Sequence, residues 1–568
     1  MALPLSFPSL FLALYAEMHY TLPLGLSLVR RDYPEILADL PWRLDPGRPL
    51  TVLCLVKDAD RFPIALESIE VTIRRAPEGL WRRVFPLNIP NLDARLWHRV
   101  LEISREEIPP GRIRVDVDFT GRRRGRPFRF RNDNYRGLSH APLRCLLSSH
   151  PMPGGPPWYP GDPHVHSSYT EDQVEFGAPP EAVVALAQAL GLRWAAFTDH
   201  SYDLDDPPGE YLGTDPSLTK WRALKRDIER LGGRTPGFMP LLGEEISCGN
   251  TRGRNVHLLA LGTTAFIPGS GDSAERWLRT APTMSIGQAL RLLGRDGGVA
   301  FAAHPEEPGS FLERLLLRRG SWGPGDYRHD DLSGLQAWNG RRDGGLWKGR
   351  RRWIRLLLGG RRLFLIGGND AHGNFNRFRQ LRLPFVSMRE SQEQIFGRVH
   401  TYVHCPGGLT REGVLRALRK GQAVTTDGPF ACLTVSDERG RKIMPGGDVA
   451  GGRFTVDLSA RSSPDFGAVE RIDLFRGSIG GRERRIRSYR RGRDFGQSHE
   501  AVLRAHLEGE GRPAYLRAEA ASGLGDRARL AMTNPVWLNV RPREETGGGR
   551  PRSVGDGGAE RSRRPGTG

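Results

Sequence analysis

The sequence predicts an α/β protein in which a central domain of parallel βα units lies between two β-sandwich-like domains. Strand patterns dominate both ends of the chain, helices alternate with short apolar strands in the middle, and a Pro/Gly segment at 151–157 separates the first part from the second. A chain of 568 residues also exceeds what one hydrophobic core usually organises. The predicted domains are 1–150, 151–429 and 430–541, followed by a tail at 542–568.

The first predicted domain, 1–150, is rich in strand signals. Segments 50–56, 68–74 and 112–119 alternate polar with apolar residues or run through β-branched residues, with Pro, Gly and Asp between them. Short antiparallel strands of this kind are typical of a β-sandwich.

The second domain, 151–429, has a different pattern. Helices are predicted at 180–190, 218–231, 285–293 and 411–419, and the first three precede the apolar runs 194–198, 238–242 and 298–303. Helices that alternate with buried strands indicate parallel βα units. Polar residues follow several of these strands directly, which is where barrel enzymes of this architecture carry their chemistry.

The third domain, 430–541, returns to strand patterns at 453–458, 471–475 and 536–540. Beyond it, 542–568 consists mainly of Gly, Arg, Pro and Ser without an apolar pattern, so we expect a disordered tail.

Composition limits the partners and the compartment. The net charge is +19, but only six of the 84 basic residues are Lys and the Arg residues are scattered, which argues against nucleic acid as a partner. Five widely spaced Cys indicate neither a disulfide framework nor a thiolate zinc site, so a cytoplasmic location is expected. Secretion is the alternative, although the apolar segment 1–16 has no basic residue and contains two Pro. No stretch reaches the roughly 18 apolar residues of a membrane span, and the sequence leaves the oligomeric state open.

Six short segments rich in His and acidic residues lie at or near predicted strand ends: 162–166, 198–200, 243–245, 255–257, 303–305 and 369–372. In an extended segment, His164 and His166 point to the same side and can clamp a metal ion. His nitrogen and carboxylate oxygen without thiolate suit zinc, manganese or iron. A single His after a strand is usually a surface or core residue, but six such segments together favour a metal site, in which Glu245 can bridge two cations.

These motifs resemble those of the PHP (polymerase and histidinol phosphatase) superfamily, and are most similar to its CehA/McbA-like branch. The resemblance is carried by His164-Val-His166, Thr198-Asp-His200-Ser, Gly243-Glu-Glu245-Ile-Ser, His304-Pro and Gly368-Asn-Asp-Ala-His372. It covers about residues 160–430 strongly and the third domain weakly. It implies a distorted (β/α)7 barrel with two or three divalent metal ions at the carboxyl ends of its strands.

The resemblance also implies three sets of metal ligands. The first set is His164, His166, Glu245 and Asp370. The second set shares Glu245 and adds His257 and His304. The third set is His200, His372 and an acidic residue at 171–172, for which Asp172 is preferred to Glu171. Glu244 remains an alternative to Glu245 as the bridging carboxylate.

The predicted activity is hydrolysis of a small-molecule ester, with a phosphoester preferred. A water that bridges two cations has its pKa lowered from about 15.7 toward about 7, which supplies hydroxide at a site where Glu245 joins the cations. His200 or His372 could protonate the leaving group if not bound to metal. Arg252 and Arg254 are candidates to bind a phosphate, or are simply solvated. The alternatives are a carbamate or carboxylic ester hydrolase, a nuclease, and a catalytically inactive metal-binding module.

Overall fold

The computed structural model describes residues 33–75, 79–134, 140–170, 177–210, 213–271, 281–307, 309, 314–315, 317–382, 387–525 and 528–539. The tail predicted at 542–568 lies outside these residues. Of the described residues, 45% are in strands and 15% in helices.

The first part of the chain forms two β-sheets around one core. Its strands are β1 (Glu35–Asp39), β2 (Arg43–Leu44), β3 (Leu50–Lys57), β4 (Ile64–Arg74), β5 (Leu80–Leu92), β6 (Leu96–Ile103), β7 (Gly111–Arg123), β8 (Arg126–Arg131) and β9 (Leu143–Leu147). One sheet has the order β1-β3-β6, and the other has the order β2-β9-β7-β4-β5 with β8 paired to β7. Alternate residues of both sheets, such as Val52 and Val117, are fully buried in the shared core.

The middle of the chain carries most of the helices. Its elements are β10 (Trp158–His166), α1 (Pro180–Leu190), β11 (Trp194–Phe197), α2 (Ser201–Leu204), α3 (Thr219–Arg234), β12 (Met239–Gly249), β13 (Asn255–Leu261), α4 (Ile286–Asp296), β14 (Val299–Ala303), β15 (Leu332–Asn339), α5 (Gly344–Leu358), β16 (Phe364–Gly368), β17 (Ala371–His372), β18 (Phe378–Arg382), β19 (Ser387–Ser391), β20 (His400–His404), α6 (Arg411–Arg419) and β21 (Ala423–Thr426). Helix α1 begins with Pro180 and ends at Gly191, whose φ of 95° suits glycine. Helix α4 begins with a capping box formed by Ser285 and Gln288.

The last part of the chain is built from strands. They are β22 (Phe430–Ser436), β23 (Lys442–Ile443), β24 (Asp448–Ala450), β25 (Arg453–Arg461), β26 (Val469–Ser478), β27 (Glu483–Arg490), β28 (Glu500–Glu508), β29 (Ala514–Ser522), β30 (Arg529–Thr533) and β31 (Val536–Asn539). A four-stranded sheet, β23-β22-β25-β28, shares a core with β26, β29 and β30.

The prediction of an α/β fold built around a distorted (β/α)7 barrel is wrong, because the chain is mostly β and its middle strands form a curled sheet. The middle strands belong to a 16-stranded sheet with the main order β16-β15-β14-β13-β12-β11-β10-β20-β21-β30-β29-β26-β27, which continues into the last part of the chain. Strand β13 is antiparallel to both of its neighbours, β12 and β14, and β20 is antiparallel to both β10 and β21, whereas a (β/α)7 barrel requires parallel neighbours. Among the described strands no ladder joins β16 to β10, so the sheet is curled but open.

The curl brings the ends of β16 and β10 together. Asn369, just after β16, donates from Nδ2 to Asp162 Oδ2 on β10 at 2.6 Å, and β17 then pairs in parallel with the end of β10. A Cβ on Gly368 would lie 2.9 Å from Asp162 Oδ1, so the close approach requires glycine at this position. The predicted ligands of β10 and of the segment after β16 therefore lie side by side.

A buried arginine connects the first and last parts of the chain. Arg43 of β2 donates from Nε to Asp465 at 2.8 Å and from Nη1 to Asp45 at 2.9 Å, and its side chain is fully buried. The domain boundaries themselves stay predictions. No helix within the described ranges is long and apolar enough to cross a bilayer.

Candidate metal centre

Eight of the nine predicted metal ligands converge on one buried cluster. It is formed by His164 and His166 at the end of β10, His200 after β11, Glu245 on β12, His257 on β13, His304 after β14, Asp370 after β16 and His372 on β17. We call these residues the histidine cluster. The ninth predicted ligand, Asp172, and its alternative Glu171 lie outside the described residues.

Local strand geometry explains much of this convergence. His164 and His166 are two residues apart on a strand, so their side chains share a face, and their Nε2 atoms are 3.2 Å apart. On the antiparallel pair β12–β13, His257 lies opposite Ser247, which places it diagonally next to Glu245 on the same face. The distance from His257 Nδ1 to Glu245 Oε1 is 2.6 Å.

Two ligand positions have an uncommon backbone conformation. His304 has φ of 26° and Asp370 has φ of 53°, values that non-glycine residues rarely adopt. Such conformations concentrate at functional sites, where the surrounding structure maintains them. The side chain of His304 contacts Glu245, and that of Asp370 contacts His164.

Glu245 lies at the centre of the cluster and its two oxygens face opposite groups of histidines. Oε1 is 2.6 Å from His257 Nδ1 and 2.9 Å from His304 Nε2. Oε2 is 3.3 Å from His164 Nε2, 3.2 Å from His166 Nε2 and 3.3 Å from His200 Nδ1. A carboxylate with ring nitrogens on both sides has the arrangement of a ligand that bridges two cations.

The first predicted ligand set occurs as a compact group. His164, His166, Glu245 and Asp370 each offer one ligand atom, and these atoms lie within 4.8 Å of one another. Asp370 Oδ1 is 3.2 Å from His164 Nε2 and 3.1 Å from His166 Nε2. Three of these atoms come from side chains on strands and the fourth from Asp370 in the loop after β16.

The other two sets differ from the prediction in their members. A second compact group contains His200, Glu245 and His257, and a third contains His166, His200 and His372. His304 contacts Glu245 but does not belong to either group, although it was predicted with Glu245 and His257. His200 therefore belongs to both the second and the third compact group.

Several buried atoms of the cluster lack good hydrogen bonds within the protein but are suitable ligands for a cation. Within the described part of the chain, His372 Nε2 is buried without a hydrogen-bond partner, and Glu245 Oε2 and His200 Nδ1 are 3.3 Å apart without the geometry of a hydrogen bond. A buried polar atom left in this state is costly unless another ligand satisfies it. Nitrogen and carboxylate oxygen are suitable ligands for zinc, manganese or iron, so the donor set fits divalent metal ions.

The charges of the cluster also attract cations. Burial disfavours ionisation of Glu245 and Asp370. The nearby histidines outweigh this effect and hold the pKa of both carboxyls well below the usual range. The strongest such contribution comes from His257 for Glu245 and from His164 for Asp370. Burial likewise disfavours charge on His166, but Asp370 and Glu245 outweigh it and raise its pKa to about 10. Burial and the neighbouring His166 instead lower the pKa of His200 and His372, so these two rings are neutral and can act as ligands.

The neighbouring carboxyl, Glu244, lies outside the cluster on the opposite face of β12. It accepts from Ser201 Oγ at 3.1 Å, from Trp221 Nε1 at 3.2 Å and from the Ile267 amide at 3.2 Å. Burial raises its pKa to about 8. Of the two adjacent glutamates, Glu245 is therefore the one that faces the histidines.

The arginines predicted to bind phosphate lie on the surface. Arg252 and Arg254 are exposed on the turn between β12 and β13, and Arg254 Nη1 donates to the Arg314 carbonyl at 3.2 Å. Sequence reasoning missed Arg319, whose Nη1 lies 2.6 Å from His257 Nε2. No pattern in this Arg-rich chain distinguished it.

Polar residues behind the cluster were also missed. Thr170 Oγ1 lies 3.2 Å from His166 Nδ1 and donates to Asp199 Oδ1 at 2.9 Å. Gln336 Oε1 lies 2.7 Å from His164 Nδ1, and Gln336 is fully buried on β15. The Gln and Asn in the predominantly apolar segment 332–339 were the available signal.

Comparisons with known proteins leave the family of this chain open. No family model matches the sequence. No curated protein matches it. Among solved structures, β-glucuronidase 2 of Bacteroides uniformis is 10% identical with a TM-score of 0.19, over 89% of this chain and 61% of that one. A β-glucuronidase of Parabacteroides merdae is 9% identical with a TM-score of 0.17, over 91% of this chain and 65% of that one.

A structure of PhoD is 8% identical with a TM-score of 0.20, over 91% of this chain and 95% of that one. The chain thus spans less than two thirds of the length of the two β-glucuronidases. At these TM-scores the overlap does not establish a shared fold.

Proposed function

We propose that this protein is a metal-dependent hydrolase that cleaves phosphoesters at a site of two or three divalent cations. The observation that carries the proposal is the position of Glu245, whose Oε1 faces His257 and His304 while its Oε2 faces His164, His166 and His200. A carboxylate shared in this way is the usual link between two cations that act on one ester.

The ligand assignment follows the compact groups. One cation would be held by His164, His166, Glu245 and Asp370, and a second by His200, Glu245 and His257. His372, with His166 and His200, forms the third group, to which Asp172 is the proposed acidic addition. Bound zinc, manganese or iron would activate a water molecule and neutralise charge on the ester oxygens.

A contact with the backbone determines which ring nitrogen of His372 carries the proton. His372 Nδ1 lies 3.2 Å from the Asp370 carbonyl oxygen, which can only accept, so the neutral ring carries its proton on Nδ1 and its lone pair on Nε2. This lone pair suits a metal ligand better than a proton donor. Protonation of the leaving group by His372 therefore requires that the ring first take up a second proton.

Arg319 favours an anionic substrate over a neutral one. Its Nη1 lies 2.6 Å from His257 Nε2, which places a guanidinium at the edge of the proposed cation site. If His257 held a metal ion, it could not accept a hydrogen bond from Arg319, and this guanidinium would be placed to bind an anionic oxygen of the substrate. A phosphoester offers such an oxygen, whereas a carbamate or carboxylic ester does not, and these remain the second candidates.

Membership of the PHP superfamily also stays a proposal. It rests on the motifs that contain His164, His166, Glu245, His304 and Asp370, which supply most of the histidine cluster. The open sheet described above differs from the barrel which that resemblance implies, so the motifs alone support it.

The proposal is tested by metal analysis followed by a substrate panel. Purified protein should contain at least two divalent metal ions per chain by elemental analysis. Protein loaded with manganese or zinc should then hydrolyse aryl phosphomonoesters or phosphodiesters faster than aryl carbamates and carboxylic esters. Less than one metal ion per chain after reloading would exclude the mechanism, and a preference for the neutral esters would select the second candidate.

A further inference from the structure

A chain of hydrogen bonds on β15 connects two ligands of the first proposed cation. Gln336 Oε1 lies 2.7 Å from His164 Nδ1, and Gln336 Nε2 donates to Asn339 Oδ1 at 3.1 Å. Asn339 Nδ2 in turn donates to Asp370 Oδ2 at 3.3 Å and to Glu307 Oε2 at 3.1 Å. Gln336 and Asn339 are both buried, so solvent does not compete for these bonds.

The direction of this chain is determined by its end at the carboxylates. As a metal ligand, the Asp370 carboxylate is ionised and can only accept hydrogen bonds, so the Asn339 amide must direct its NH2 group to Asp370. The side-chain oxygen of Asn339 then faces Gln336, so Gln336 must donate a hydrogen bond from its own NH2 group. The oxygen of Gln336 is left for His164, whose Nδ1 must carry a proton.

The proton on His164 Nδ1 determines the state of the other ring nitrogen, Nε2. A neutral imidazole with its proton on Nδ1 has its lone pair on Nε2, the atom that faces Glu245, Asp370 and His166. The same bonds hold the Asp370 carboxylate, whose other oxygen, Oδ1, lies 3.2 Å from His164 Nε2. Gln336 and Asn339 thus contact two ligand side chains, and Gln394 Nε2 also donates to Asp370 Oδ2 at 3.2 Å.

We propose that Gln336 and Asn339 are positioning residues that fix the tautomer of His164 and the orientation of Asp370, and so determine the affinity and geometry of one cation site. The inference rests on the proposed metal centre but not on the identity of the substrate. Outer partners of metal ligands commonly change metal affinity by about 10- to 100-fold when they are removed.

Two substitutions at position 336 separate the parts of this chain. Gln336→Leu removes both the acceptor for His164 and the donor to Asn339. Gln336→Glu keeps an acceptor for His164 but removes the donor, and it places a third carboxylate near Asn339. Thr425→Val is a matched control, because Thr425 is a buried strand residue whose hydroxyl donates to the Leu365 carbonyl at 3.4 Å, away from the cluster.

The measurements are chelator-competition titrations with zinc or manganese and visible absorption spectra of the cobalt(II)-loaded protein. We expect Gln336→Leu to weaken one binding step about 10- to 100-fold and to shift the cobalt spectrum. Gln336→Glu should shift the spectrum with a smaller loss of affinity, and Thr425→Val should match the wild type in both.

Wild-type binding and spectra in Gln336→Leu would overturn the inference. If that variant does not fold, an unchanged spectrum and affinity in Gln336→Glu would overturn it. Failure of the wild-type protein to bind any metal ion would instead overturn the proposed function, so the two failures are distinguishable.

Discussion

Glu245→Gln is the substitution that most directly separates a catalytic metal centre from a passive cluster. The change keeps the size and shape of the side chain but removes its charge and replaces one oxygen with an amide group. Because the two oxygens of Glu245 face different groups of histidines, the substitution affects both proposed cation positions. Loss of a ligand that binds only one cation should reduce metal binding and activity by a smaller amount.

The magnitude follows from the charges around the cluster. Two dications carry four positive charges, and among the described ligands only Glu245 and Asp370 offset them. Two unit charges about 4 Å apart interact by about 4 kcal/mol at an effective dielectric constant of 20. Loss of one negative charge from a position next to both cations should therefore raise the barrier by at least about 4 kcal/mol, which is about a thousandfold in rate.

The assay measures metal content and steady-state turnover of the same preparations. Glu245→Gln should release one cation and lose about three orders of magnitude in kcat/KM, while its circular dichroism stays that of the wild type. Glu244→Gln is the matched control, because Glu244 is equally buried one residue away and contacts Ser201, Trp221 and Ile267 instead of the cluster. It should keep its metal ions and most of its activity.

Near-normal turnover and metal content in Glu245→Gln would refute the bridging role. An inactive Glu244→Gln protein with a normal fold would show that the wrong carboxylate had been assigned. If both variants lose activity and their circular dichroism spectra show that they are unfolded, the substitutions act by destabilising β12.

Three further predictions concern other parts of the molecule. Asp172→Ala should lose one cation and much activity while Glu171→Ala changes little, and the reverse result would assign the ligand to Glu171. Arg319→Ala should lower kcat/KM for a phosphoester about tenfold or more with metal content unchanged, whereas equal effects of Arg319→Ala and Arg252→Ala would remove the anion-binding role. Burial lowers the pKa of His400 from about 6.5 to about 3, so the unfolded chain takes up a proton first and the stabilisation present above about pH 6.5 is lost progressively as the pH falls toward 3. His400→Gln should flatten this decline in urea unfolding by roughly 2 kcal/mol between about pH 6.5 and pH 5, and parallel curves for the two proteins would contradict the assignment.

Local patterns were sufficient to predict most of the cluster. The His-x-His spacing places His164 and His166 on one face regardless of which strands lie beside them. Helices α1 and α6 have the bounds 180–190 and 411–419 that capping residues and apolar periodicity predict. In each case the determining interactions lie within a few residues along the chain.

The arrangement of strands was not predictable in the same way. Apolar runs such as 238–242 and 298–303 are compatible with parallel or antiparallel neighbours, and only long-range pairing distinguishes the two. The turn between Gly249 and Asn255 is short enough for an antiparallel hairpin, and this was the local indication that β12 and β13 are not joined by a helical crossover. Gln336 was missed for a related reason, since its partner His164 is 172 residues away.

The continuous 16-stranded sheet has a consequence for attempts to obtain a minimal catalytic fragment. Strand β21 pairs with β30 over Val424–Thr426, and Val424 shares a hydrophobic core with Ala531, so a chain ended at residue 429 would leave this edge unpaired and its apolar side chains uncovered. Exposed sheet edges of this kind recruit other chains and lead to aggregation. Expression of the histidine cluster alone should therefore give insoluble protein, and a useful fragment has to retain the strands up to Asn539.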